Sequence, residues 1–258
     1  MLAKIVLRLK NTTDKKITTN MSSVFQGILM EFLKTEFATK LHIQQRQPYS
    51  QYIRYENDII YWTVSTVTKE AYEEIILPLC DSNLTQLYSK YHDMTLKIED
   101  KQVEIISEQE FLKQEYFRDF SRIFEITFLT PTSFKSNGQY MNYPTIRWLF
   151  QSLMNKYDSK AGSDQIFDED VLRIIEEEVS VTQYKLKSTL FHLEGTKVPS
   201  FVGNIKLYAK SNQSIVNLIH YLLKYGEYSG VGIKTAIGMG AICVKSKERN
   251  ILEWTKEE

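Results

Sequence analysis

The chain has 258 residues with 32 basic and 32 acidic side chains, a formal net charge of zero that as a total argues against a nucleic-acid binder. No apolar run approaches the roughly 20 residues that cross a bilayer. The first ten residues are too short and too alternating for a signal peptide, and Cys80 and Cys243 lie far apart outside any CxxC, so free thiols in a reducing cytoplasm are expected.

Length allows one large core or two cores of about 120 residues each. Residues 2–9 alternate as a first strand. Val24, Phe25, Ile28, Leu29, Phe32, Leu33, Phe37 and Leu41 then recur at helical spacing, predicting one helix over about 20–41 with Gly27 inside it. A Gln/Arg/Pro segment precedes two strand-like runs, roughly 50–55 and 58–67, and a helix over 69–79. After a polar stretch, 94–106 reads as strand, with a hairpin turn expected at Glu99-Asp100-Lys101. The order is β-α-β-β-α-β.

That order returns in the second half. Residues 122–130 alternate strongly, 131–140 read as a loop or short hairpin, and helices fit 144–157 and 166–178. Residues 179–193 and 199–210 read as paired strands, 213–225 as a helix and 241–246 as a last strand. Two passes of βαββαβ predict two ferredoxin-like (RRM-like) domains, an α+β fold. The expected division is 1–118 and 119–258, with the boundary in the charged helical stretch around 108–121.

Half of the ten glycines fall within residues 226–240, in the pattern Gly230-Val231-Gly232, five residues, Gly238-Met239-Gly240, with Lys234 at the centre. Neither a Walker loop nor a GxGxxG fingerprint has this spacing. Glycine permits positive φ and close backbone approach, so the expectation is a cradle of exposed N–H groups around a lysine, suited to a polyanion. Charge is also unevenly spread. Residues 158–178 carry a net −6 and residues 179–247 a net +7, so the basic stretch contains the loop. Without the loop, scattered lysines on a solvated face would explain the same count.

Nothing in the sequence has the form of a metal site: there is no HExxH and no CxxC pair, and the acid-rich 164–178 run fits a solvated helix face better than a magnesium site. No cofactor is expected. Of the four histidines, His42 falls just past the last apolar position of the first helix, where an imidazole commonly bonds the terminal carbonyls. His192, the reserve candidate for proton transfer, shares a strand phase with Leu186 and Leu190 and reads as packed first, His220 lies on an apolar helix face and reads as structural, and His92 carries no distinguishing signal.

The loop pattern resembles the signature of the CRISPR repeat-RNA processing endoribonucleases, members of the repeat-associated RNA-binding superfamily. The likeness extends to Ile126–Arg147, to Lys185-Leu186-Lys187-Ser188-Thr189, to Pro199-Ser200-Phe201-Val202-Gly203, and to Gln26-Gly27-Ile28-Leu29 with Leu41-His42. It implies a metal-independent endonuclease in which a ribose 2′-OH attacks the adjacent phosphate, leaving 2′,3′-cyclic phosphate (or 3′-phosphate) and 5′-OH ends. It also places a catalytic histidine at His42. Met30 stands where the family's best-known members have a tyrosine, and Arg46 is the nearest cation after the histidine, expected on the phosphate. RNA contacts are expected from Gly230, Gly232, Lys234, Gly238 and Gly240, with Lys135, Arg147, Lys185 and Lys187 as further partners. Tyr140, Tyr143 and Tyr184 could stack on bases, but among 16 tyrosines none is singled out. The implied partners are CRISPR repeat RNA and a CRISPR effector complex that receives the product, with monomer and homodimer both open and no membrane. One rival is a non-catalytic RNA-holding subunit of such a complex; another is a site for a small phosphorylated ligand.

Overall fold

The computed structural model describes residues 1–13, 21–44, 46–56, 59–90, 92–160, 165–193 and 195–246. The first half runs β1 (Leu2–Asn11), α1 (Ser22–Phe32), α2 (Thr35–Ile43), β2 (Tyr49–Glu56) and β3 (Ile59–Thr66). A helical stretch follows, α3 (Lys69–Ala71), a π turn (Tyr72–Ile76) and α4 (Leu77–Cys80), then β4 (Gln86–Ser89) and β5 (Met94–Ile106). The strands pair antiparallel in the order β2-β3-β1-β5-β4. Without the edge strand β4, that is the interleaved order of a ferredoxin-like unit. Alternation sets the layering: Ala3, Ile5, Leu7 and Leu9 of β1 are buried beneath Phe25, Ile28 and Leu29 of α1.

Helix α5 (Glu108–Glu115), capped by the Ser107 hydroxyl accepting from the Glu110 amide at 3.1 Å, leads to the second half. There β6 (Ile123–Thr132) precedes the short hairpin β7 (Phe134–Ser136) and β8 (Gln139–Met141), followed by α6 (Ile146–Asp158) and α7 (Glu169–Glu178). Strands β9 (Val179–Leu193) and β10 (Thr196–Ala209), helix α8 (Gln213–Ser229) and strand β11 (Ile242–Lys245) complete it. The sheet order β11-β6-β10-β9 repeats the interleaved pattern, so the fold is two ferredoxin-like units in tandem.

Three expectations need correction. The helix over 20–41 is two helices, because Leu33 and Lys34 take extended dihedrals (ψ 154° and 138°) although the apolar spacing runs through them. No hairpin turns at Glu99-Asp100-Lys101: β5 continues through them, with a register shift between Arg8 and Leu9 that leaves Glu99 as the extra residue of a bulge. The hairpin partner of β5 is instead β4, four residues long and hidden in the polar stretch before it.

Helix α8 sets the geometry of the site. Val216, Ile219, Leu222 and Leu223 enter the second core, while Tyr221, Tyr225 and Tyr228 pack with Leu2, Val67 and Phe111 in a separate cluster at the seam. With apolar side chains on two faces and its polar stripe (Gln213, Asn217, His220, Lys224, Glu227) confined to one edge, the helix sits between layers. Its C-terminal turn is tied to the first sheet: Ser50 Oγ donates to the Tyr228 carbonyl at 2.6 Å, the Tyr228 hydroxyl donates to Glu104, and the Lys4 ammonium lies 4.5 Å from the Tyr228 ring centre. The glycine-rich loop therefore leaves α8 already held against the first half.

Candidate active site

The loop begins where Gly230 (φ +65°) ends α8 and returns at Gly240 (φ +70°) into β11. Gly232 and Gly238 also have positive φ, +72° and +105°. Protein atoms, not open space, stand where their side chains would be. A Cβ on Gly232 would lie 2.3 Å from the Ser133 carbonyl oxygen, and one on Gly240 would lie 1.9 Å from that of Val231. The amides are likewise occupied: Val231 donates to Gly240 O (2.8 Å), Gly232 to Ser152 Oγ (2.8 Å), Ile233 to Ser133 O (3.0 Å) and Gly240 to Pro131 O (3.1 Å). The expected cradle of exposed N–H groups is thus corrected. The four glycines fold the loop onto its own protein, and only the amides of Lys234, Thr235 and Ala236 lack a protein acceptor among the described residues. These three open the 3₁₀ turn Thr235–Ile237, with Lys234 in the left-handed region at φ +58°.

The turn inserts between the halves. Ala236 belongs to the first core, and Ile237 and Lys234 line a pocket of about 250 Å³ with His42, Met30, Gln47 and Tyr49. His42 is exposed in the last turn of α2. The terminal carbonyls there are capped by a different side chain: Gln47 Nε2 donates to Leu41 O at 2.7 Å and to Gln44 O at 3.0 Å. That leaves the imidazole free of the capping role that its position suggested. Tyr49, unmarked by the sequence, is buried in the same pocket, and burial pushes its phenol up to about 12 despite a hydrogen bond with Gln26. At neutral pH it stays protonated, able to donate a hydrogen bond but not to serve as a base.

A larger groove of about 470 Å³ adjoins this pocket and shares Gln47, Lys234 and Ala236 with it. Four basic side chains line it: Arg46 after α2, Lys135 on β7, Lys156 on α6 and Lys234 in the loop. No carboxylate does, among the described residues. On the other side, Gln26 and Ile237 connect the His42 pocket to a cleft of about 720 Å³ holding Gly27, Glu31, His92 and His192. His192 is exposed there rather than packed, because β9 is an edge strand whose end extends past the core. His220 is buried between Glu115 (2.7 Å) and Ser246 (2.8 Å) and stacks on Phe120.

Of the residues singled out in the sequence, the fold brings together His42, Arg46, Lys135, Gly232 and Lys234. It does not bring Arg147, whose guanidinium pairs with Glu169 and with Glu176 (3.2 Å) between α6 and α7. Lys185 and Lys187 are exposed on β9, opposite Asn204 and Val202 of β10, and neither lines the groove. Leu186 between them packs into the second core, so the two lysines face away from the helices. The residues missed were those of α6: Trp148, Gln151, Ser152, Asn155 and Lys156, spaced i, i+3, i+4, i+7, i+8 along one face. That periodicity is legible, but a polar stripe on a helix ordinarily faces solvent.

Two ferredoxin-like units in tandem share a basic groove with no carboxylate among its described residues, next to a pocket where a histidine of the first meets the glycine-rich loop of the second. Residues 126–242 match the family model of the CRISPR-associated endoribonuclease Cas6. A Cas6 endoribonuclease of Streptococcus thermophilus is 31% identical over 230 residues, covering 87% of this chain and 91% of that protein. One from Mycobacterium tuberculosis is 30% identical over 220 residues, covering 85% and 70%. The chain belongs to the Cas6 family. Among solved structures, a Cas6 product complex superposes with a TM-score of 0.78 at 19% identity over 95% of this chain and all of that one, and Thermus thermophilus Cas6 with 0.71 at 18% over 95% and 98%. At those identities the superpositions speak for the fold.

Proposed function

We propose that the chain cuts CRISPR repeat RNA by 2′-OH transesterification and that His42 moves a proton in that step. The observation carrying this reading is one continuous surface on which His42, from the first unit, meets Lys234 and its loop, from the second. The 2′ oxygen attacks the adjacent phosphorus as the bond to the 5′ oxygen breaks. A base takes the 2′ proton and an acid supplies one to the departing oxygen, leaving a 2′,3′-cyclic phosphate and a 5′-OH. The nucleophile is part of the substrate, so the step needs no metal-activated water. Charge building on the phosphate is met by Arg46 and Lys234, and the free amides at the turn add donors without any change in charge state. Imidazole suits either proton transfer near neutral pH. With Met30 in the His42 pocket and the Tyr49 phenol protonated, the described residues there offer no tyrosinate base.

The test is a labelled native repeat incubated with the chain, with and without EDTA. Cleavage in chelator with cyclic-phosphate ends is expected. His42→Ala should lower the single-turnover rate by roughly 10²–10⁴-fold, the range of a general acid or base, with affinity for the repeat nearly unchanged. Wild-type rate in that variant refutes the assignment. Tight binding without cutting by the native chain would favour an RNA-holding subunit instead.

A further inference from the structure

Lys156 sits under the glycine-rich loop. Its ammonium donates to Thr235 Oγ1 at 2.8 Å and to the Ser229 carbonyl at 3.3 Å, joining the start of the loop to its 3₁₀ turn. A third proton has no acceptor among the described residues. The charged groups that line the groove with it, among the described residues, are cationic: Arg46 after α2, which acts on the amine directly, Lys135 on β7 and Lys234 in the loop. Its own helix offers Gln151, Ser152 and Asn155, and α8 contributes, besides the Ser229 carbonyl, the Tyr225 phenol, which donates to the Lys156 carbonyl at 3.3 Å. One turn further on, Lys160 shows the ordinary arrangement, an ion pair with Glu108 over the Tyr157 ring.

A partly buried ammonium with no carboxylate beside it among the described residues is costly, and the group responds by losing its proton. Burial first, and Arg46 second, lower the Lys156 amine to about 7. The neutral amine has two N–H donors and one lone pair, so the two acceptors already present satisfy it. Only the charged form needs a third partner, and the described residues of the groove supply no anion.

We propose that Lys156 takes an RNA phosphate as its counter-ion: it fixes the turn of the glycine-rich loop and takes up a proton as the phosphate enters the groove. The inference rests on the reading of the groove as an RNA site. An anion at the third position restores the amine toward its ordinary value of about 10.4, so binding draws a proton from solution between the two values. The sign follows. Near pH 6 the amine is charged in both states and contributes nothing to the pH dependence; as pH rises through the free-state value, affinity falls, by about tenfold at pH 8.

The experiment compares the wild-type chain, Lys156→Arg and Lys156→Met, binding the CRISPR repeat RNA at pH 6 and pH 8. Where the chain cuts the repeat, its mapped scissile ribose is made 2′-deoxy. Wild type should weaken about tenfold more than Lys156→Arg, whose guanidinium does not titrate in this range, while Lys156→Met should be weak at both values. Any contribution of His42 is common to all three. Calorimetry on wild type at pH 8, in two buffers of different ionisation heat, should show uptake of about one proton per RNA beyond that of Lys156→Arg. Equal pH dependence in wild type and Lys156→Arg, or no proton uptake by wild type, overturns the proposal and leaves RNA binding standing. A chain that binds no repeat RNA at either pH overturns both readings.

Discussion

Gly232→Ala tests whether the loop glycines serve the protein or its ligand. An alanine Cβ there would stand 2.3 Å from the Ser133 carbonyl oxygen, against ordinary contact beginning at 3.4 Å, so the two backbones must part by about 1 Å. That carbonyl accepts the Ile233 amide at 3.0 Å, and Gly232 itself donates to Ser152 Oγ at 2.8 Å, so the displacement loosens both bonds. Holding a non-glycine residue at positive φ costs about 1–2 kcal/mol, and disturbing buried hydrogen bonds adds about 1–3 kcal/mol. The sum is roughly 2–5 kcal/mol. At about 2–4 °C per kcal/mol for a chain of this size, the melting temperature should fall by on the order of 5–15 °C. The assay is thermal unfolding followed by circular dichroism without RNA. A glycine needed only for ligand approach would leave that midpoint in place and lower RNA affinity alone. A midpoint within about 1 °C of wild type therefore refutes the internal-packing argument.

Gly27→Ala should do the opposite: nothing lies within 4 Å of the added methyl, and relief of a mid-helix glycine is worth about 0.5–1 kcal/mol, so the same melt should shift upward by about 1–4 °C. Lys234→Ala should weaken repeat-RNA binding and reduce the slope of log K against log salt by about one, measured by titration across salt concentrations; an unchanged slope removes Lys234 from the interface.

The topology was readable because each strand pair carries strong alternation, as in Phe124, Ile126 and Phe128 of β6, and because the βαββαβ order leaves few ways to pair. Strand β4 was not, since four residues between turns hold too little pattern to separate from a polar loop. For the site, spacing alone pointed to Lys234 and the glycines, and the resemblance pointed to His42. What spacing could not give was the direction of each loop amide, which is fixed by Ser133, Ser152 and Pro131, more than 75 residues earlier. Lys156 escaped notice for a related reason. Its amine is lowered by burial beneath the loop first and by Arg46 second, and its partner Thr235 lies on another element, so nothing local distinguishes it from a solvated helix lysine.

Helix α8 has a further consequence. Because its tyrosines interlock with Leu2, Val67 and Phe111, and Ser50 grips the Tyr228 carbonyl, the distance from His42 to Lys234 is dictated by how the two halves dock. A wedge at Tyr221 or Phe111 would therefore shift His42 against Lys234 with every groove residue intact, and separating the halves would part the two altogether.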